Sequence, residues 1–212
     1  MMNDIKALIF DLDGVIVNTE HNHFEAWNYI AQSLNIRFDH QANEHLKGLS
    51  RTDSLKKILE IGNVNISKTK FDSLLKEKNN LYLESIRSLN KTNLLQGVED
   101  ILERAKAKRI KLAVGSSSKN ARLILSQLDI TNLFDTIVDG NDVSFPKPHP
   151  EVFIKGAQDL QVNPSKTVVF EDAISGIQAA QSGGFIDCGV GNISLKGIST
   201  HYINSLAEFN LN

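Results

Sequence analysis

Two aspartates follow the first apolar run of the chain, and their spacing suits phosphoryl transfer. Asp11 and Asp13 belong to the segment Phe10-Asp11-Leu12-Asp13-Gly14, where residues two apart on an extended chain project into the same space. Asp11, which adjoins the apolar run, suits a nucleophile that forms an aspartyl phosphate. Asp13, one step further out, suits a general acid and base. A pair of surface aspartates in a turn is the plain alternative.

A second acidic pair, Glu171-Asp172, follows a later apolar run. Carboxylate oxygens are the ligands that Mg²⁺ prefers, and attack of one anion on another requires a cation. The pair could instead favour the macrodipole of a helix beginning near Ala173, and Asp172 could cap that helix while also binding metal. We therefore predict a magnesium site that includes these carboxylates.

Ser116 and Lys147 are candidate phosphate ligands. Ser116 ends an apolar run just before a predicted helix, where free backbone N–H groups and a hydroxyl can hold phosphate oxygens. Ser117 or Ser118 as an ordinary helix N-cap is the alternative. Lys147 has a proline on either side, which stiffens its backbone and suits a fixed point charge, although an isolated loop lysine is usually just solvated.

The elements that must position these residues are strands and helices in alternation. Apolar runs that predict strands are Lys6 to Phe10, Lys111 to Val114, Thr136 to Val138, Thr167 to Phe170 and Phe185 to Cys188. Amphipathic patterns that predict helices are Val98 to Lys108, Ser118 to Leu128, Glu151 to Leu160 and Ala173 to Ser182. This alternation predicts an α/β fold with a doubly wound parallel sheet, whose strand ends carry the polar residues above.

The stretch from Val17 to Leu94 breaks this rhythm, because helical periodicity dominates it. Ser50 to Asp53 has the form of a capping box, which places a helix start just after Lys47-Gly48-Leu49. We predict an all-helical cap domain at residues 17–94, inserted into a core domain of residues 1–16 and 95–212.

Bulk properties restrict the class of protein. The formal net charge of −2 gives no global positive field for nucleic acid or an anionic membrane. The single Cys188 cannot form an intrachain disulfide, and we find neither a leader of signal type nor an apolar run long enough to span a bilayer. We expect a cytoplasmic, monomeric protein that binds small molecules rather than nucleic acid or membrane.

Taken in order, these motifs resemble those of the haloacid dehalogenase-like superfamily, along essentially the whole chain. The resemblance implies Asp11 as nucleophile, Asp13 as acid and base, and Ser116 and Lys147 as phosphate clamps. It also implies a Mg²⁺ ion held by Glu171 and Asp172 together with Asp11 and the Asp13 carbonyl. The inserted helices correspond to the cap of one large subgroup.

Within the superfamily, the segment His45 to Ser54 resembles the cap loop of the β-phosphoglucomutases. Arg51 would then bind the phosphate that is not transferred, and Gly48 would allow close approach of the backbone. Thr19, His23 and Trp27 fall at four-residue steps on one helical face, where His23 could hydrogen-bond Asp13 or, like Trp27, simply pack in the cap. We predict that Thr19 and His23 take part in catalysis. The remaining substrate-binding residues implied by the resemblance are Trp27, Lys47, Leu49, Ser50, Lys78, Ser117, Ser118, Lys119 and Asn120.

The resemblance implies, as the predicted function, interconversion of β-glucose 1-phosphate and β-glucose 6-phosphate through β-glucose 1,6-bisphosphate. The alternative on the same core is a Mg²⁺-dependent sugar-phosphate phosphatase, with water as the acceptor. A non-catalytic phosphate-binding module is a third possibility, but mere binding does not need Asp13.

Overall fold

Short runs of buried apolar residues form a parallel sheet in the computed structural model, which describes residues 4–211. Within that range the sheet has six strands, β1 (Ala7–Phe10), β2 (Lys111–Gly115), β3 (Thr136–Val138), β4 (Thr167–Glu171), β5 (Ile186–Val190) and β6 (His201–Ile203). The order is β3-β2-β1-β4-β5-β6, and every neighbouring pair is parallel. The predicted doubly wound sheet is confirmed. Its strand order reverses between β1 and β4, which is where ligands bind in such sheets.

The chain divides into two units. One is Thr19–Ser88, and the other comprises the chain up to Asn18 and from Leu89 onward. We call them the inserted unit and the core unit. Residues 19–88 contain four helices, α1 (Glu20–Ser33), α2 (His40–Glu44), α3 (Arg51–Gly62) and α4 (Lys68–Ser85). Apolar side chains from these helices and their loops form a hydrophobic core within the inserted unit, with Trp27, Ile30, Leu55 and Leu74 almost completely buried.

The helices of the core unit cover the sheet. They are α5 (Val98–Ala107), α6 (Ala121–Gln127), α7 (Glu151–Leu160) and α8 (Ile174–Ser182). Helix α7 packs Phe153 and Ala157 against Ile9 of β1 and Ala113 of β2. Since β1 lies in the middle of the sheet and is buried along its whole length, the residue that follows it is held on a rigid base.

The boundaries of the inserted unit are held together on each side. In the core unit, Val17 and Leu94 form an antiparallel bridge, and the Leu95 N–H donates to the Ile16 carbonyl at 2.9 Å. In the inserted unit, Asn22 Nδ2 donates to the Ser85 carbonyl at 3.1 Å, which joins the start of α1 to the end of α4. Within residues 4–211, no helix combines the length and the apolar character needed for a bilayer crossing.

Candidate active site

Three carboxylates converge where β1 and β4 end side by side. Asp11 follows β1 directly, and its N–H donates to the carbonyl of Phe170 in β4 at 3.0 Å. Glu171 is the last residue of β4, and Asp172 follows it. One carboxylate oxygen from each of Asp11, Glu171 and Asp172 lies within 4.8 Å of the other two. The carboxyl ends of neighbouring parallel strands thus bring together acids that are 160 positions apart in the sequence.

Lys147 lies inside this carboxylate cluster. Its side chain is fully buried, with Nζ 2.5 Å from Asp11 Oδ1 and 2.6 Å from Glu171 Oε1. The ammonium also lies 4.7 Å from the centroid of the Phe153 ring. These contacts rule out the solvated loop lysine that the sequence left open, and they place a fixed positive charge beside the candidate nucleophile.

Burial and charge act in opposite directions on this centre. Burial raises the pKa of Asp11 to about 8, even though the ammonium of Lys147 favours the ionised form. For Lys147, burial alone would favour the neutral amine, but Asp11 and Glu171 outweigh it and raise the pKa above its ordinary range. Lys147 is therefore a permanent cation, and ionisation of Asp11 depends on the positive charge around it.

Two glycines make room for the metal-ligand candidates. Gly14 has φ +84°, a conformation that favours glycine, and a Cβ there would overlap the Asp172 carboxylate. Gly176 lies in the first turn of α8, and a Cβ there would overlap Glu171 Oε1. The absent side chains let both carboxylates reach their positions.

The carboxylate cluster fits a Mg²⁺ ion. It offers three hard oxygen ligands at one strand edge, and Mg²⁺ takes one or two carboxylates and completes its shell with water and substrate phosphate. Asp13 is half-buried, and its backbone pairs with Val17 in the turn after β1. The predicted roles of Asp13 as metal ligand through its carbonyl and as acid and base remain predictions.

Ser116 follows β2 and begins a loop, Ser116–Asn120, that contains the candidate phosphate ligands of the core unit. The Ser116 side chain is buried, its N–H donates to the Val138 carbonyl at 3.0 Å, and its Oγ accepts the Ser118 N–H at 3.0 Å. Ser118 Oγ in turn accepts the N–H of Asn120 at 3.2 Å. The hydroxyls therefore order the loop itself, as serines commonly do in turns.

Two details of the helix starts differ from the prediction. Helix α6 begins at Ala121 with Asn120 as its N-cap, so neither Ser117 nor Ser118 is the N-cap, and Ser116 lies further from the helix than expected. The serine turns compete with helix formation and delay its start. The N-cap of α8 is Ala173, with an extended backbone, rather than Asp172, and the Ala173 N–H donates to Glu171 Oε2 at 2.8 Å.

In the inserted unit, His23 and Lys78 form a buried pair. Lys78 Nζ lies 2.8 Å from His23 Nδ1, and the ammonium also lies 4.9 Å from the Trp27 ring and 4.6 Å from the Tyr82 ring. Burial holds the pKa of His23 well below its ordinary value, and the positive charges of Lys78 and Arg51 act in the same direction to a smaller extent. The ring is therefore neutral. Because an ammonium can only donate, Nδ1 is the acceptor and the proton of His23 is on Nε2.

Arg51 is the first residue of α3 and is half-buried. Burial lowers its pKa, and no carboxylate among residues 4–211 lies within ion-pair distance of it. Lys47, by contrast, is paired with Glu20 Oε2 at 3.1 Å and Glu44 Oε1 at 2.8 Å. Arg51 is therefore the cation of this loop that is available to an anion in the free protein. Substrate binding by Lys47, which the sequence predicts, would have to displace two carboxylates.

The other predicted cap residues have structural roles in the inserted unit. Ser50 is the N-cap of α3, accepting the Asp53 N–H at 3.2 Å, so the predicted helix start is confirmed. Gly48 has φ +75°, and Leu49 packs against the core of the unit. Thr19 is the N-cap of α1 and is fully buried, and Trp27 lies in the hydrophobic core. Contact of these residues with substrate remains a prediction.

Sequence reasoning missed two residues that support the metal-ligand candidates. Gly176 makes room for Glu171, as described above, and Asn192 Nδ2 donates to the Asp172 carbonyl at 2.9 Å. A glycine within a helical pattern is a signal that could have directed attention to Gly176. Asn192 follows the fifth strand, in the position where the other strands end in polar residues.

Comparison with known proteins agrees with this geometry. Residues 8–190 match the family described as haloacid dehalogenase-like hydrolase. The chain is 41% identical to beta-phosphoglucomutase of Bacillus subtilis over 88% of this chain and 84% of that protein. It is 33% identical to phosphorylated carbohydrates phosphatase of Thermotoga maritima over 85% and 82% of the two chains.

A solved structure shows the same likeness in three dimensions. The crystal structure of beta-phosphoglucomutase from Clostridium difficile superposes with a TM-score of 0.93 at 38% identity, covering 98% of this chain and 94% of that one. The converging carboxylates, the buried lysine and the sheet order are thus accompanied by similarity along nearly the whole sequence. The chain belongs to the haloacid dehalogenase-like hydrolase family.

Proposed function

We propose that this protein is a β-phosphoglucomutase, which interconverts β-D-glucose 1-phosphate and β-D-glucose 6-phosphate through an aspartyl phosphate and β-glucose 1,6-bisphosphate. The observation that carries the proposal is Arg51, a half-buried guanidinium without an acidic partner within residues 4–211. A mutase must bind a second phosphate while the first is transferred, whereas hydrolysis of a monophosphate needs one phosphate site. The likeness to beta-phosphoglucomutases over most of the chain supports the same conclusion.

In the core unit, a carboxylate oxygen of Asp11 would attack the phosphorus of a sugar phosphate while the bond from phosphorus to the sugar oxygen breaks. Asp13 would give a proton to the leaving oxygen and take one from the other sugar hydroxyl when the phosphoryl group returns. Lys147 and Ser116 would hold the phosphoryl oxygens. Lys147 already contacts Asp11, so its charge is in place before substrate arrives.

We further propose that Asp11, Glu171 and Asp172, with the Asp13 carbonyl, hold Mg²⁺. When bound, the ion would neutralise negative charge on the phosphoryl group and on the carboxylates. Ionised Asp11 is the form that attacks, and its burial otherwise favours the protonated acid. The positive charge of a bound ion would therefore favour the ionised, nucleophilic form of Asp11.

The remaining predicted residues fit binding of the phosphate that is not transferred. Arg51 suits a bidentate grip on phosphate from the inserted unit. Ser117, Ser118, Lys119 and Asn120 would bind the other end of the bisphosphate, from the loop that follows β2. Neutral His23, with its proton on Nε2, would be a hydrogen-bond donor to the carboxylate of Asp13 and would restrain it from activating water.

We also propose that the protein works as a cytoplasmic monomer on small hexose phosphates. Its single cysteine, Cys188, is buried, and burial raises the pKa of the thiol to about 12, so the side chain is unreactive. This is compatible with a reducing compartment, where no disulfide is required.

The test is a coupled assay with Mg²⁺, β-glucose 1-phosphate and a trace of β-glucose 1,6-bisphosphate. We expect glucose 6-phosphate to form, which glucose-6-phosphate dehydrogenase in the assay detects. Release of inorganic phosphate without isomerisation would instead establish the phosphatase alternative. Asp11→Asn should abolish both reactions, because it removes the nucleophile.

Arg51→Lys separates the two phosphate sites. We expect mutase turnover to fall by about 10- to 100-fold, since lysine cannot provide a bidentate grip, while hydrolysis of acetyl phosphate changes little. Arg87→Lys is the matched control, because Arg87 belongs to the same unit and is exposed, pairing with Glu84. Equal loss of both activities in Arg51→Lys would contradict a role specific to the second phosphate.

A further inference from the structure

The loop after β3 lies against the loop that contains the candidate phosphate ligands. We call Asp139–Asp142 the brace and Ser116–Asn120 the phosphate loop. The Gly140 N–H donates to the Ser118 carbonyl at 3.3 Å, and Asn141 Nδ2 donates to the Lys119 carbonyl at 3.1 Å. A Cβ at Gly140 would overlap the Ser117 carbonyl oxygen. The two loops are therefore in backbone contact, and displacement of the brace displaces the phosphate loop.

The brace is organised around the carboxylate of Asp139, which is 1% exposed. Asp139 Oδ1 accepts the Asn141 N–H at 2.8 Å, which sets the direction of the Asn141 side chain. Asp139 Oδ2 has no hydrogen-bond partner within residues 4–211, but Arg122 Nε lies 3.3 Å from it. A buried carboxylate is costly without a nearby cation. The conformation of the brace thus depends on Arg122.

Arg122 links the brace to its surroundings. It lies on α6 and is half exposed, and its Nη2 donates to the Ile137 carbonyl at 2.6 Å and to Asp142 Oδ2 at 3.0 Å. Asp142 Oδ2 also accepts the Asp139 N–H at 2.9 Å. The planar guanidinium therefore holds both ends of the brace and the edge strand in one geometry, which a lysine could not reproduce.

From these contacts we infer that Arg122 is a positioning residue for phosphate binding. It acts through Asp139 and Asn141 on the backbone of the phosphate loop, and it does not itself contact the substrate. The inference rests on the proposed function only in that the phosphate loop binds a phosphoryl group. The path runs from the surface of α6 to Lys119 through three consecutive polar contacts.

The test uses Mg²⁺-dependent hydrolysis of acetyl phosphate, with inorganic phosphate as a competing ligand. This assay does not depend on which sugar the protein uses, so a failure of the mutase proposal leaves it intact. We expect Arg122→Met to lower kcat/KM by about 10- to 100-fold and to weaken inhibition by phosphate, because a small displacement of ligands has effects of this size. Arg122→Lys should lie between Arg122→Met and the wild type, since it restores the charge but not the planar contacts.

Asn141→Ala should act in the same direction, and the double variant with Arg122→Met should be no worse than the more affected single variant, because both act through one path. Arg104→Met is the matched control: Arg104 lies on α5 and bonds Asp100 and the Phe209 carbonyl, away from the phosphate loop. A stability role alone would lower the unfolding midpoint of both arginine variants without changing phosphate inhibition.

Wild-type kinetics and phosphate inhibition in Arg122→Met, losses equal to those of Arg104→Met, or fully multiplicative effects in the double variant would each overturn the inference. If Arg122→Met does not fold, Asn141→Ala decides the question, and unchanged phosphate inhibition in that variant would overturn it as well.

Discussion

Replacing Lys147 by methionine tests whether charge, rather than packing, fixes the centre of the site. Methionine keeps an unbranched stem but leaves Asp11 and Glu171 buried without the ammonium that both contact. Burial already raises the pKa of Asp11 to about 8, so Asp11 can remain protonated near neutral pH. The stability lost by removing the ammonium therefore comes mainly from the Glu171 carboxylate.

The size of the effect follows from the cost of neutralising that carboxylate. Protonating a glutamate side chain of ordinary pKa costs about 4 kcal/mol at pH about 7.5 and about 1 kcal/mol at pH about 5. An unpaired buried carboxylate is relieved of part of its burial cost when it is protonated, so the loss should be smaller at the lower pH. We therefore expect Lys147→Met to lose about 4 kcal/mol of unfolding free energy at the higher pH and about 1 kcal/mol at the lower.

Urea unfolding in metal-free solution, followed by circular dichroism at both pH values, measures this difference. Lys106→Met is the control, because Lys106 is exposed on α5 of the same unit, and its loss should stay within about 0.5 kcal/mol at both pH values. An equal loss at the two pH values in Lys147→Met would refute the electrostatic reasoning and attribute the loss to packing.

Two further predictions concern other parts of the site. In Gly176→Ala the added methyl group would overlap the Glu171 carboxylate, so the Mg²⁺ concentration needed for half-maximal activity should rise by about 10- to 100-fold. Gly156→Ala in α7 is the control and should leave this concentration unchanged, because the nearest neighbour of its methyl group is 3.3 Å away. An unchanged Mg²⁺ requirement in Gly176→Ala would show that the space beside Glu171 does not limit metal binding. The lowered pKa of His23 means that the unfolded chain binds a proton that the folded protein does not, so stability should fall by up to about 1.4 kcal/mol for each pH unit below about 6.5. His23→Gln should reduce this slope in urea titrations, and an identical slope would show that His23 is not its source.

Strand-ending residues were predictable from sequence because polar side chains after buried strands share one edge of a parallel sheet. Asp11, Glu171 and Asp172 come together for this reason. Strand β6 was missed, because its three residues are half-buried and lie at the edge of the sheet, where the apolar signal is weak.

Contacts between loops were not predictable, since they depend on tertiary packing. Nothing local indicates that Lys147 is fully buried against two carboxylates, or that Lys47 is paired with Glu20 and Glu44. The predicted start of α6 was wrong because the turns made by Ser116 and Ser118 compete with the helix. Apolar periodicity does not indicate such competition.

The paired boundaries of the inserted unit have a consequence for the order of folding. Forming the bridge between Val17 and Leu94 closes a loop of roughly 75 residues, which costs about 4 kcal/mol of chain entropy when the loop is unstructured. The inserted unit joins its own ends through Asn22 and Ser85, with α1 packed on α4. When its helices form first, the loop that the sheet must close shrinks to two short tethers, and β1 can join β2 and β4 at a much smaller entropic cost. An insertion whose ends already meet can therefore be exchanged for another helical module of similar end spacing without slowing assembly of the sheet.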